Sequence, residues 1–189
     1  LVSPQVNYTD RDSHFIFGDV ATATILETAE TVNTDTAFDI LSTEAKTVYS
    51  NNIRSNFGYM SRANDVDPFG PDKLFHQAGR RVFKEVCPMA AEHIASHLGQ
   101  HELSPDNVNR WWLHQANINM NTLICKKLLG RDANSEEAPI VLDEYANTAS
   151  AGSIIAFALH HQDLASQDVG VICSFGAGYS IGSLVVRKR

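Results

Sequence analysis

The sequence has only three cysteines, Cys87, Cys125 and Cys173, spaced far apart and forming no CxxC pair. An odd, scattered set argues against a disulfide framework and predicts reduced thiols in a cytoplasmic protein. No run of about 18 apolar residues occurs, which predicts no membrane partner. The chain opens at Leu1-Val2-Ser3-Pro4-Gln5, with no initiator Met, no basic leader and no apolar signal core, so it reads as cut from a longer polypeptide. Basic residues are few, 15 Lys+Arg against 22 Asp+Glu, for a net charge of −7. They form no stripe, which argues against a nucleic-acid partner. Proline and glycine are sparse, 6 and 11 in 189 residues, with no low-complexity tract or internal repeat. Collagen-like and disordered chains are thereby excluded.

What is present is a globular composition, 43 % hydrophobic and 20 % charged. Such a chain can bury one good core and reads as one domain or part of one. His14–Gly18 reads as a short strand, Val20–Thr28 as a second and Ala37–Leu41 as a third. Residues 50–72 are dense in Asn, Asp, Gly and Pro and read as a long loop. Lys73–Leu98 carries apolar residues every fourth position and predicts a helix, with a kink or break at Pro88 and a stop at Gly99. Val108–Leu113 predicts a strand. Asn117 caps a helix over Ile118–Leu129, closed by Gly130. Ser150–Leu164 predicts another helix. Val169–Phe175 and Tyr179–Val186 predict an antiparallel pair around the Gly176-Ala177-Gly178 turn. Alternating strands and helices give a layered α/β domain with a mixed sheet.

Three stretches can carry chemistry. His114-Gln115-Ala116-Asn117 stands where a strand ends and a helix begins, a ligand-binding place in open α/β sheets. A histidine kept neutral by the helix N-terminus can donate a hydrogen bond to a substrate oxygen, or it simply caps the helix. In Tyr145–Ser153, small residues flank Asn147, whose NH2 could reach a pocket; local capping is the alternative. Phe175–Gly182 holds a glycine turn whose free N–H groups could bind an oxyanion, or which is a plain hairpin. Its formal GxSxG (Gly178, Ser180, Gly182) lacks a following histidine, so a serine hydrolase is rejected. His93, His97 and His101 recur every four residues, but no further ligand completes a metal set, and they read as a solvated helix face. The cysteines read as small buried hydrophobes rather than nucleophiles.

In this order, His114–Asn117, Ala146-Asn147-Thr148-Ala149 and Phe175-Gly176-Ala177-Gly178 resemble the HQAN, GNTS and FGGG motifs of the β-ketoacyl-acyl-carrier-protein synthase III family, in the thiolase superfamily. Thr9-Asp10-Arg11 with Phe15–Asp19, and Ala78–Lys84, resemble its TDR…FGD and AGxxVFK segments. The resemblance runs nearly end to end and is poorest over residues 43–72. It implies one half, a mixed sheet with helices on both faces, of a five-layer αβαβα thiolase-like fold, with residues 1–189 as the C-terminal domain. The N-terminal half, with the nucleophilic cysteine, is absent from this sequence.

The resemblance also implies a decarboxylative Claisen condensation of an acyl thioester with malonyl-carrier protein in fatty acid biosynthesis, without a cofactor. His114 and Asn147 would hydrogen-bond the malonyl thioester oxygen. The Ala177 N–H would serve as oxyanion donor, and Phe175 would support the pair. Gln115, Ala116, Asn117, Ile118 and Asn119 match the carrier-protein docking stretch, although the family's usual arginine is Asn119 here. Lys84, Lys126 and Lys127 match basic docking positions, and Phe83 matches a residue of the CoA and pantetheine tunnel. The implied partners are acyl carrier protein, acyl-CoA or acyl-carrier protein, and a second copy in a full-length homodimer. The isolated chain would be inactive. A polyketide-type synthase, another acyltransferase of the superfamily and a non-catalytic docking module are the alternatives.

Overall fold

The computed structural model describes residues 3–34, 36–55, 67 and 70–189. Four strands form one sheet in the order β1-β6-β5-β4: β1 (Phe38–Ser50), β4 (Arg110–Leu113), β5 (Val169–Gly176) and β6 (Gly178–Lys188). β4 runs parallel to β5, and the other pairs are antiparallel, so the sheet is mixed. Two short strands, β2 (Ile53–Arg54) and β3 (His76–Gln77), pair separately. The helices are α1 (Gly79–Gly99), α2 (Ile118–Leu129), the single turn α3 (Leu142–Tyr145) and α4 (Ala151–Leu159).

Strand alternation sorts the side chains into two cores. Trp111, Leu113, Val171, Cys173, Ile181 and Val185 face α1 and α2. Trp112, Ile172 and Val186 face α4 with Ile155 and Ala156. Helices therefore cover both faces. Gly170 is required where the indole of Trp112 crosses β5, because a Cβ there would lie 2.1 Å from the ring.

Several elements depart from the sequence reading. His14–Gly18 is a turn, paired among the described residues by a bridge from Phe17 to Asn147. Val20–Thr28 is irregular, with Ile25 and Leu26 exposed. Strand-forming residues need a partner strand, and none stands beside them among the described residues. The third strand extends to Ser50 because β6 pairs with it along its length. Helix α1 starts at Gly79 rather than Lys73. Before it, the Phe75 N–H donates to the Gln5 carbonyl at 2.6 Å, and His76–Gln77 pairs with β2, so tertiary bonding overrides the helical period. Pro88 does not end the helix. The final helix stops at Leu159, short of Leu164. Most of the 50–72 loop lies outside the described residues. The α2 boundaries agree with the sequence reading, with the Asn119 N–H donating to the Asn117 side chain at 2.8 Å and Gly130 at φ 70°.

The histidine row corrects a sequence expectation. His93 and His97 are buried under the sheet, not solvated. Ser183 Oγ on β6 lies 2.9 Å from His93 Nε2 and 2.7 Å from His97 Nδ1, and Ser42 Oγ on β1 lies 2.8 Å from His97 Nε2. Burial lowers the pKa of both rings, while Glu44, near both, acts in the opposite direction. Four-residue spacing made one face, and β6 covers it. Replacing Ser183 by Ala leaves two buried ring nitrogens short of a partner, so urea unfolding should show a loss of about 1–3 kcal/mol. A loss under about 0.5 kcal/mol, the scatter typical of surface sites, would refute that bridge.

Candidate active site

β4 ends at Leu113 and delivers His114 into the interior, where it is 6 % exposed. Its ring meets Phe175, at the end of β5, with centroids 4.6 Å apart and planes at 62°. Burial pushes the imidazole pKa down to about 4, with a backbone group of Ala149 opposing. Desolvation, rather than the helix N-terminus named from sequence, is thus the leading cause of a neutral ring at pH 7. Nδ1 has no partner of acceptable hydrogen-bond geometry among the described residues.

Asn147 stands on a segment held against the chain's entry. Its backbone N–H donates to the Ile16 carbonyl at 2.8 Å, and its carbonyl accepts from the Gly18 N–H at 3.0 Å. The side-chain oxygen accepts from the Ala149 N–H at 3.0 Å, which fixes the carboxamide plane, and the NH2 makes no hydrogen bond among the described residues. Ala146 and Ala149 flank it, both at φ 55°. Ala146 has ψ −161°, a region that only glycine adopts freely, at the position where the family motif has glycine. That backbone is held off its preferred conformation at the residue that aims Asn147.

His114 and Asn147 line one cavity of about 420 Å³, together with Phe175, Gly176 and Ala177. Ala177 is exposed and keeps a negative φ, so its backbone has no need of glycine there. The rest of the lining is mixed: Phe17, edge-on to Phe75 at 4.8 Å, Ile53, Val82, Phe83 and Met120 are apolar, and Asp12 and Arg54 are charged. A neutral N–H donor and an amide donor facing one void suit a developing oxyanion. A larger groove of about 580 Å³ lies on the α4 side, lined by Phe38, Phe157 and Leu184 but by no histidine, cysteine or amide side chain. It offers no comparable chemistry.

The remaining candidate residues divide. Ala116, Asn117 and Phe83 line the cavity. Ile118 is 54 % exposed and Asn119 is exposed beside it. Lys84 lies on the open side of α1. Lys126 and Lys127 lie exposed at the far end of α2, roughly 13 Å along the axis from its cap. Lys126 pairs with Asp132 at 3.3 Å. Gln115 corrects the docking assignment. It is fully buried, donating to the Leu113 carbonyl at 2.9 Å and accepting from the Val141 N–H at 3.1 Å. Gly152 packs so close that a Cβ there would stand 2.8 Å from Gln115 Cβ. Gln115 is an internal brace and cannot touch a docked protein.

None of the three cysteines lines the cavity. All are buried, with thiols pushed up to about 11 at Cys87 and about 12 at Cys125 and Cys173. Ser180 sits within strand β6, which removes the nucleophile-elbow reading of GxSxG. Phe75 and Ile53 were not singled out from the sequence as site residues, and Phe17 stood there only within the FGD-like segment. They come from segments remote in the chain, and no spacing signals their meeting.

Residues 98–188 match the family model described as 3-oxoacyl-[acyl-carrier-protein] synthase III C terminal. A β-ketodecanoyl-[acyl-carrier-protein] synthase of Pseudomonas aeruginosa is 55 % identical over 194 residues, covering all of this chain and 55 % of that protein. A β-ketoacyl-[acyl-carrier-protein] synthase III of Ehrlichia ruminantium is 29 % identical, covering 99 % of this chain and 56 % of that protein. The crystal structure of 3-oxoacyl-[acyl-carrier-protein] synthase III from Aquifex aeolicus superposes with a TM-score of 0.74 at 22 % identity, over 98 % of this chain and 55 % of that one. The chain thus spans about 55 % of the length of the curated relatives it matches. The fold is one half of a thiolase-like architecture. The chain is similar to the C-terminal half of β-ketoacyl-acyl-carrier-protein synthases III, with the family model matching just under half of it. Among the described residues no helix is long and apolar enough to cross a membrane.

The buried imidazole also sets a pH dependence. Its folded pKa, about 4, lies below the unfolded value of 6.5, so on acidification the unfolded chain takes the proton first. Stability from this group is complete above about pH 6.5 and should fall by about 3 kcal/mol as pH drops to about 4. Thermal unfolding of the native protein and of His114→Gln across pH 4–7 checks it. The variant should show a visibly flatter decline, and parallel curves would contradict a buried neutral ring.

Proposed function

We propose that this chain supplies the electrophile-stabilising half of a condensing enzyme that joins an acyl thioester to malonyl-carrier protein with loss of CO2. The observation that carries the reading is the pair His114 and Asn147 on one cavity, one ring neutral and one carboxamide already oriented. The nucleophilic cysteine is assigned to the N-terminal half of the full-length enzyme. The burial of Cys87, Cys125 and Cys173 away from the cavity supports that assignment.

The steps follow from charge. The upstream cysteine thiolate attacks the acyl thioester, and the resulting oxyanion takes a hydrogen bond from the Ala177 N–H before the carrier thiolate leaves. The malonyl thioester then enters with its carbonyl oxygen toward His114 and Asn147. Cleavage of the carboxylate C–C bond releases CO2 and leaves its electron pair as an enolate. Both donors bind that oxygen more tightly as its charge grows, which is selective stabilisation of the transition state. The enolate carbon attacks the acyl-cysteine carbonyl, and the cysteine thiolate departs. Phe175 holds the imidazole in place by edge contact. The exposed Ile118, Asn119, Lys84, Lys126 and Lys127 form the surface offered to an acidic carrier protein. The full-length enzyme is read as a cytoplasmic homodimer that needs no cofactor.

In the full-length enzyme, His114→Ala and Asn147→Ala should each slow CO2 release by about 10²–10³, while acyl transfer onto the cysteine changes far less. Radiolabelled malonyl- and acyl-thioester assays separate the two steps, and equal losses in both would sink the assignment.

The β-ketodecanoyl product named for the Pseudomonas aeruginosa relative bears on primer length. Decarboxylated malonate adds two carbons, so the same product here calls for an octanoyl thioester. A primer series from acetyl to dodecanoyl should peak at octanoyl, and a preference for acetyl would contradict the extension to this chain.

A further inference from the structure

Asn52, Glu85 and Tyr179 close a hydrogen-bonded triangle beside the cavity. The Tyr179 hydroxyl donates to Glu85 Oε2 at 2.9 Å and accepts from Asn52 Nδ2 at 2.9 Å. Asn52 Nδ2 also donates to Glu85 Oε2 at 2.9 Å. The hydrogens balance: the amide supplies two, the phenol supplies one, and the carboxylate oxygen accepts from both partners. Bonds to a carboxylate are stronger than neutral ones, and a closed set reinforces itself.

None of the three lines the cavity, yet each adjoins something that does. Tyr179, only 3 % exposed, directly follows Gly176-Ala177-Gly178. Asn52 precedes Ile53, Arg54 and Ser55 of the cavity wall. The Asn52 carbonyl accepts from the Ala78 N–H at 2.8 Å, at the start of α1, where Gly79, Val82 and Phe83 also face the void. The Asn52 N–H donates to Ser50 Oγ at 3.2 Å, and Ser50 is the ladder partner of Gly178. The turn, the β2 wall and the first turns of α1 therefore share one anchor. Its centre is a carboxylate at the exposed side of α1, a place where core packing does not demand an acid.

The geometry points to Glu85 as a positioning residue that, through Tyr179 and Asn52, sets where the Ala177 N–H stands against the acyl thioester. This deepens the proposed condensing function and rests on its use of that N–H. Misplacement of an oxyanion donor by a fraction of an ångström slows only the step that uses it.

The test uses the full-length enzyme. Glu85→Ala and Tyr179→Phe are compared with Glu85→Gln, which keeps an acceptor oxygen. Acyl transfer onto the enzyme from acyl-CoA, CO2 release from malonyl thioester and thermal midpoint are each measured. Both disruptive variants should slow acyl transfer about tenfold and CO2 release less than about twofold. Glu85→Gln should recover most of the loss, and the double variant should be no slower than the worse single one. Tyr179→Phe keeps the ring that fills the core, so at least one variant retains the fold. Equal slowing of both steps, or a lowered midpoint with unchanged acyl transfer, overturns the positioning role. A wild-type enzyme that accepts acyl groups but releases no CO2 overturns the condensing reading instead, and the acyl-transfer comparison still decides the anchor.

Discussion

The site depends on keeping an imidazole uncharged in a dry setting. An imidazolium would put a full charge on a side chain packed against Phe175 and almost wholly out of water, a cost of several kcal/mol. Burial beside Phe175 resolves this by depressing the pKa to about 4. A neutral ring still offers one N–H. In low dielectric that donor counts for more than it would in water, and it needs no reorganisation when charge develops opposite it.

The rest of the half-molecule serves that arrangement. Parallel pairing of β4 with β5 places His114 next to Phe175, because Leu113 and Cys173 are register partners one and two residues earlier. Gln115 ties the loop after β4 to Val141 and so fixes the chain that follows the histidine. Asn147 arrives from the other side on a segment bridged to Phe17. The Ala149 N–H holds its oxygen. Two strands, one helix cap and one strained turn thus converge, and no single element makes the site.

Much of this was legible from residues alone. The α2 helix followed from Asn117, its apolar period and Gly130, all local signals. The β5–β6 hairpin followed from the glycine turn. His114 stood out at a strand-to-helix junction and Asn147 as an amide among small residues before a helix; local capping was open for both, and the family resemblance joined them. What could not be read was non-local. Val20–Thr28 has strand chemistry but no partner strand beside it among the described residues. Lys73–Gln77 has helical spacing yet is claimed by Gln5 and β2. His93 and His97 looked solvated because periodicity defines a face without saying what covers it, and β6 with Ser183 does so. Gln115 adjoins the site in sequence, but its side chain turns inward. Phe75 and Ile53 line the cavity, yet no motif connects them to it.

In the proposed reaction, His114 and Asn147 share one oxygen. A crystal structure of the full-length enzyme with a malonyl thioester analogue that cannot lose CO2 tests it directly. Sharing places the thioester oxygen within about 3.2 Å of both a ring nitrogen of His114 and Nδ2 of Asn147. An oxygen bonded to only one of them, or turned toward solvent, would contradict it.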